Sequence, residues 1–284
     1  MSKNACASCE GLNVESIIKT NNNKLPEWLV ETDYVTEFIQ SKQAAKMKPY
    51  HQKKYNMKLE LFVGKAKAGK YILYWGAQSS TSIHIKNAKQ AYGNFKNNGI
   101  SLINKDGYAT LYFNCPQAYS TTEKNKKKKE TFYRHIHFCF SNKHKTKWLT
   151  NVYTKVIVCI VSVKQTLQSL QKGSIVLLNT LPSTAYAKSH IPNSFNLHYK
   201  QIKKMSTDQL VQWFRYVVKL NYPKLHSLLK QKKLNYYELP IVVYCGNKNC
   251  SLSHKASIEL LKKGFVNISE CKGGMEEYIH STSS

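Results

Sequence analysis

Residues 240–265 read PIVVYCGNKNCSLSHKASIELLKKGF, and residues 266–278 read VNISECKGGMEEY. Ile241, Val242, Val243 and Tyr244 form a continuous apolar run between Pro240 and a polar loop, the pattern of a strand buried on both faces. That strand delivers Cys245 to the loop Gly246–Asn247–Lys248–Asn249. The spacing predicts a helix from about Ser253 to Gly264, where glycine stops it. A thiol at the positive end of a helix, among loop N–H groups, is stabilised as a thiolate. A core cysteine that happens to end a strand is the plainer alternative. The upstream segment AYAKSHIPNSFNL (185–197) argues against it.

Together these segments resemble the rhodanese family. The signals run in order: GSIVLLN (173–179), His190-Ile191-Pro192-Asn193-Ser194, VVYC (242–245), Gly264-Phe265 and Gly273-Gly274. The resemblance covers roughly 165–284. It implies an α/β domain with a central parallel sheet and Cys245 as the persulfide-carrying nucleophile. It also implies a small anionic sulfur donor and a thiol acceptor as partners, with no cofactor required. Loop amides would cradle the anion, as at any helix N-terminus.

The chain departs from the family pattern at several points. Asn179 and Leu181 stand where an Asp and an Arg are usual, and Ala185 replaces an acidic residue. The loop has no Arg, so Lys248 is its anion-attracting charge. It carries a second thiol, Cys250, which can resolve a persulfide or sulfenic acid as a disulfide or can simply fill a small buried cap position. Ser251 and Ser253 are candidate loop or cap hydroxyls.

The chain has 284 residues, 42% of them hydrophobic, and a formal net charge of +27. That length suits two domains. The positive field favours polyanions, including non-specific nucleic acid and small anionic substrates. Arg134 and Arg215 are the only arginines. Because Arg is the better base reader, their scarcity argues against sequence-specific DNA recognition. No run of apolar residues is long enough to span a membrane, so no membrane partner is expected. The scattered cysteines do not resemble a disulfide scaffold. A cytoplasmic or intracellular setting is expected, with a virion component of a large DNA virus as a compositional alternative. Cys6 and Cys9 form a lone Cys-x-x-Cys pair, short of a zinc site by two ligands.

Residues 25–47, LPEWLVETDYVTEFIQSKQAAKM, predict a helix with Pro26 near its start. From about residue 58 the pattern becomes short strands: LELFV, KYILYWG, TSIHI, YATLYFN, YRHIHFCF and VYTKVIVCIVSV. Their alternation and their Gly/Asn/Asp separators predict an all-β sandwich. The basic run KNKKKK (124–129) reads as a hairpin tip or as a polyanion-binding finger. From 165 onward strands alternate with helices, notably STDQLVQWFRYVVKL and PKLHSLLKQKKL. The expected division is therefore 1–57 (tail and helix), 58–164 (sandwich) and 165–284 (parallel α/β domain).

His135-Ile136-His137 sits in an alternating strand, where side chains two apart share a face. Both imidazoles can then bind one ion, although a half-buried strand pair is the usual explanation. Cys115-Pro116-Gln117-Ala118-Tyr119, AYGNFKNNGISLINKDGYATLYF with its Tyr92, and Leu149-Thr150-Asn151-Val152-Tyr153 lie around it. This order resembles the intradiol ring-cleavage dioxygenases over roughly 58–160. The resemblance implies a β-sandwich and Fe(III) held by Tyr92, Tyr119, His135 and His137, with catechol cleavage as the activity. Phenolate and imidazole suit a ferric ion. Phe132 stands where that family has Arg. Three functions are thus in play: sulfur transfer, a non-haem iron oxygenase or metal-binding module, and a non-catalytic basic packaging protein.

Overall fold

The structure is a computed structural model that describes residues 37–79, 88–121 and 130–282. The Cys6/Cys9 pair, the 124–129 run, the TSIHI segment and most of the helix expected over 25–47 lie outside those residues. The chain divides into two compact units, Met1–Ile157 and Val158–Ser284.

In its described part the expected first helix is not continuous. It consists of two 3-10 turns, Phe38–Gln40 and Ala44–Lys46. Ser41 between them is extended, and its hydroxyl accepts from Ala44 N at 3.2 Å. Serine competes with the helical backbone in this way. The first turn nevertheless anchors the unit: Phe38 is buried and its ring packs on Trp75 and Phe95.

The first unit is rich in antiparallel strands: β1 (Met57–Phe62), β2 (Tyr71–Gly76), β3 (Asn98–Leu102), β4 (Tyr108–Phe113), β5 (Tyr119–Thr121), β6 (Glu130–Phe132), β7 (His135–Phe140) and β8 (Tyr153–Val156). A short helix, α1 (Ala88–Tyr92), precedes β3. The strands form a four-stranded sheet of order β3-β2-β7-β8 and two pairs, β1-β4 and β5-β6. In β1, Met57, Leu59 and Leu61 point inward and alternate with exposed residues, a period of two with one wet face. All six residues of β7 are buried, so both its faces are covered. His137 lies opposite Trp75 on β2 and Thr154 on β8.

The second unit holds β9 (Cys159–Val161), α2 (Val163–Gln171), β10 (Val176–Asn179), α3 (Ser183–Lys188), β11 (Phe195–Asn196), α4 (Tyr199–Lys204), α5 (Thr207–Asn221), α6 (Pro223–Lys230), β12 (Ile241–Tyr244), α7 (Leu252–Lys262), β13 (Ile268–Cys271) and α8 (Gly274–Thr282). Its five strands are parallel, in the order β11-β10-β12-β13-β9. The run VYTKVIVCIVSV, expected as one strand, is split. Tyr153–Val156 pairs with β7, whereas Cys159–Val161 pairs with β13. The chain therefore leaves the first unit at Ile157, ahead of the expected boundary near 164.

Sequence logic is plain in this unit. Ser162 with Gln165 and Ser206 with Gln209 close capping boxes at α2 and α5, and Pro223 opens α6. β10 and β12 are wholly buried apolar strands. Among the described residues no helix is long and apolar enough to cross a membrane.

Candidate functional site

Cys245 follows the last residue of β12 and is 1% exposed. The carboxyl end of a central parallel strand is where open α/β sheets place their chemistry. The start of α8 grips this point: Met275 N donates to Cys245 O at 3.0 Å and Glu276 N to Gly246 O at 2.9 Å. That approach requires glycine, because a Cβ on Gly274, at φ +59°, would lie 2.3 Å from Cys245 O. Gly274→Ala is expected to cost roughly 2 kcal/mol through strain and displacement of the cysteine. A urea-unfolding midpoint equal to the parent's would contradict this packing role.

The His190–Ser194 turn braces the same strand. Tyr244 Oη accepts from Ile191 N at 3.0 Å and shares a 2.7 Å hydrogen bond with Ser194 Oγ. Tyr186 Oη donates to Ser194 O and Tyr222 Oη to Asn193 O. Asn193 adopts a left-handed φ of 61°. Asn179, at one of the departures from the family pattern, accepts from Leu181 N at 2.9 Å through Oδ1.

The two loop thiols form one unit. Cys250 and Cys245 are free and share a side-chain hydrogen bond. The N–H groups of Leu252 and Gly246 point at the Cys250 sulfur, whereas Ser253 N–H points at Cys245. The bridging proton and these amides pull the Cys250 thiol down to about 6, against partial burial. The same bridge, with burial, holds Cys245 far above the ordinary thiol range. The pair as a whole thus gives up its first proton easily and its second with difficulty. The amide cradle expected around Cys245 is shared, and the half-buried Cys250 takes two of its N–H groups. Buried Cys271 and Cys139, by contrast, are both shifted upward by burial, Cys139 to about 12, and are inert by comparison.

Lys248 is exposed on the loop. Ser251 sits at the N-cap of α7, but its side chain makes no capping hydrogen bond. The Ser253 hydroxyl faces inward instead: it lies 3.2 Å from Cys245 Sγ and donates to Glu270 Oε1 at 2.8 Å. Glu270 Oε2 lies 3.4 Å from His254 Nδ1. Sequence reading missed Glu270 and His254. The available signal was a charged residue inside ISEC, a strand otherwise fit for burial.

In the first unit, Tyr92, Tyr119, His135 and His137 converge. Tyr92 Oη lies 2.8 Å from His135 Nε2 and 2.8 Å from His137 Nε2. Tyr119 hydrogen-bonds Tyr92, and their rings meet edge to face. All four are at most 3% exposed. His135 Nδ1 lies 2.6 Å from Tyr133 O, a carbonyl, so this nitrogen is the donor and Nε2 carries the lone pair. His137 Nδ1 is held by Thr154 Oγ1 at 2.8 Å. Tyr133 and Thr154 went unnoticed in the sequence, because a backbone carbonyl and a cross-strand hydroxyl leave no pattern there. Burial pushes His135 down to about 4, opposed by the Tyr133 hydrogen bond. Burial, then the neighbouring His135, pushes His137 well below the usual imidazole range. Burial raises Tyr119, with the Tyr92 hydrogen bond opposing. Among the described residues no cluster of three or more His, Cys, Asp or Glu is placed to hold a metal. The set here is instead two phenols and two imidazoles.

Residues 162–281 match the family of rhodanese-like domains. No curated protein matches the chain. Similar solved structures include the human single-domain sulfurtransferase TSTD1 (16% identity, 44% of this chain and 97% of that one, TM-score 0.32). A 3-mercaptopyruvate sulfurtransferase, SseA from Escherichia coli, shares 16% identity over 41% of this chain and 42% of that one, TM-score 0.29. The polysulfide-sulfur transferase homodimer from Wolinella succinogenes shares 20% identity over 44% of this chain and 75% of that one, TM-score 0.28.

Proposed function

We propose that the C-terminal unit is a sulfurtransferase that carries sulfur as a persulfide on Cys245. The observation that carries this reading is the pair of free thiols on the loop after β12, with Cys245 Sγ 3.2 Å from Ser253 Oγ and 3.5 Å from Cys250 O, inside the stretch that matches rhodanese-like domains. Cys245 is the nucleophile because the strand and the Met275 hydrogen bond fix its position. Its thiolate attacks the sulfane sulfur of a small anionic donor. With thiosulfate, the bond between the two sulfurs breaks and sulfite leaves with the electron pair. An acceptor thiolate then attacks the outer sulfur of the persulfide and Cys245 departs as thiolate. Lys248 draws the anionic donor to the loop, and the Ser253 amide stabilises the bound sulfur.

Cys250 has a second role. As a thiolate it attacks the inner sulfur of the Cys245 persulfide, forming the Cys245–Cys250 disulfide and expelling hydrosulfide. A dithiol reductant returns both cysteines to thiols. The parent protein is therefore expected to release sulfide from a preformed persulfide in the absence of any acceptor. Cys250→Ser is expected to slow that release by roughly a hundredfold. An electrode trace with equal sulfide from both proteins would remove Cys250 from this role.

A specific observation favours a second activity in the first unit, the convergence of Tyr92, Tyr119, His135 and His137. We read its strands as an intradiol-type β-sandwich and these four side chains as ligands for Fe(III). The donor set fits: hard phenolate oxygens and neutral imidazoles whose second nitrogens are held by Tyr133 O and Thr154 Oγ1. A bound ferric ion would supply activation of a catechol toward dioxygen. The chain's own contribution is burial of the four side chains and fixed imidazole orientation. The same atoms also close a metal-free triad, with Tyr92 Oη donating to His135 and accepting from His137, so metal analysis decides between them.

A further inference from the structure

We infer that Ser253 and Glu270 form a buried proton relay for Cys245, with His254 as the residue that orients the Glu270 carboxylate. The inference rests on the sulfur-transfer reading and assigns it the proton's destination. Ser253 has one hydroxyl proton, and it is committed to Glu270 Oε1 at 2.8 Å. Its lone pairs can therefore face Cys245 Sγ at 3.2 Å, and the thiol donates in that contact when its proton turns from Cys250 and the loop carbonyls Asn247 O and Cys250 O toward Ser253. Sulfur, hydroxyl and carboxylate form a directed chain from Cys245 inward.

All members are enclosed: Ser253 is 1%, Glu270 3% and His254 6% exposed. A carboxylate placed this deep beside a thiol disfavours a thiolate by like charge, which is a costly arrangement if its function is packing alone. His254 Nε2 is buried and has no hydrogen-bond partner. Its Nδ1 is what the fold uses, 3.4 Å from Glu270 Oε2. A packed core gains nothing from leaving such a nitrogen unpaired.

The step balances within the chain. The Cys245 thiol proton passes to Ser253 Oγ while the Ser253 proton passes to Glu270 Oε1, leaving a thiolate and a neutral carboxylic acid. When an acceptor thiolate later takes the outer sulfur and releases Cys245 as thiolate, the proton returns along the same path. The path gives the Cys245 proton a destination that stays open when Cys250 already holds its own proton, so that a single thiolate forms in the loop. The titratable groups around Cys245 are Cys250 and Lys248 from the loop, His254 from α7, Glu270 and Cys271 from β13, and Glu277 from α8, whose charge reaches Cys271.

Relay and bystander predict opposite signs, and this makes the test sharp. Iodoacetamide alkylation of Cys245 is followed from pH 5 to pH 10 in a Cys250→Ser background, without any sulfur donor. If Glu270 is only a nearby charge, Glu270→Gln makes Cys245 more acidic and its alkylation faster. If Glu270 accepts the proton, Glu270→Gln slows alkylation at pH 7 by at least about tenfold and moves the profile to higher pH. Ser253→Ala, which breaks the path and keeps the charge, is expected to act in the same direction. Glu270→Asp is expected to recover part of the rate. Faster alkylation in Glu270→Gln, or an unchanged profile in Ser253→Ala, would overturn the relay. Either residue suffices if the other variant fails to fold. Failure of sulfur transfer itself shows separately, as absence of persulfide in the parent.

Discussion

Cys245→Ser is expected to abolish sulfur transfer from thiosulfate or polysulfide to cyanide, by roughly a thousandfold or more relative to the parent. The reason is chemical. A serine hydroxyl is not ionised at neutral pH and cannot hold sulfane sulfur, and no other described thiol has the geometry. Cys271 and Cys139 are buried with raised pKa values, and Cys250 sits on the loop without the Met275 anchor. Cys250→Ser is expected to keep transfer to cyanide, because the acceptor attacks the outer sulfur without its help. Its persulfide lasts longer. If both variants retained equal activity, neither thiol would carry sulfur and the proposed chemistry would fail. If instead Cys250→Ser lost activity and Cys245→Ser kept it, the roles of the two sulfurs would be reversed.

The other large effect belongs to the first unit. After ferric loading the parent is expected to hold near-stoichiometric iron with a visible tyrosinate-to-iron absorption band. A His135→Ala/His137→Ala double variant is expected to hold neither. Two imidazoles that share a face of β7 cannot be replaced by neighbours, since Ile136 and Phe138 point the other way. Tyr92→Phe separates the two uses of the site. With metal it removes colour. Without metal it strips two buried nitrogens of their shared partner and costs about 1–3 kcal/mol. A colourless, iron-free parent after loading would reduce the four residues to a packing triad with Tyr119 above it.

Much of the C-terminal unit was legible because its signals are local. Continuous apolar runs mark buried parallel strands, Ser206 and Gln209 mark a helix start, and Gly273-Gly274 marks a close backbone approach. Where the outcome depends on distant partners, the sequence misled. VYTKVIVCIVSV has one uninterrupted β pattern, yet its halves pair with β7 and β13, and nothing in the run announces the break at Ile157–Val158. Ser41 interrupted an expected helix through its bond to Ala44 N.

The sites divide in the same way. The Cys245–Cys250 spacing placed both thiols on one loop, but the contacts of Cys245 Sγ with Cys250 O and Ser253 Oγ are tertiary facts. Ser253 looked like a cap, and only the packing of α7 on β13 shows its hydroxyl committed to Glu270. His135 and His137 share a face by strand period alone. Their meeting with Tyr92, more than forty residues earlier, is a tertiary fact.

The most direct test of the account is to locate the sulfur. The full chain is incubated with polysulfide, blocked with an alkylating reagent and digested, and each cysteine peptide is weighed. An added sulfur atom is expected on the Cys245 peptide, accumulating in Cys250→Ser and giving way in the parent to a Cys245–Cys250 disulfide. Sulfur on Cys250 alone, or on no cysteine of the loop, would contradict it.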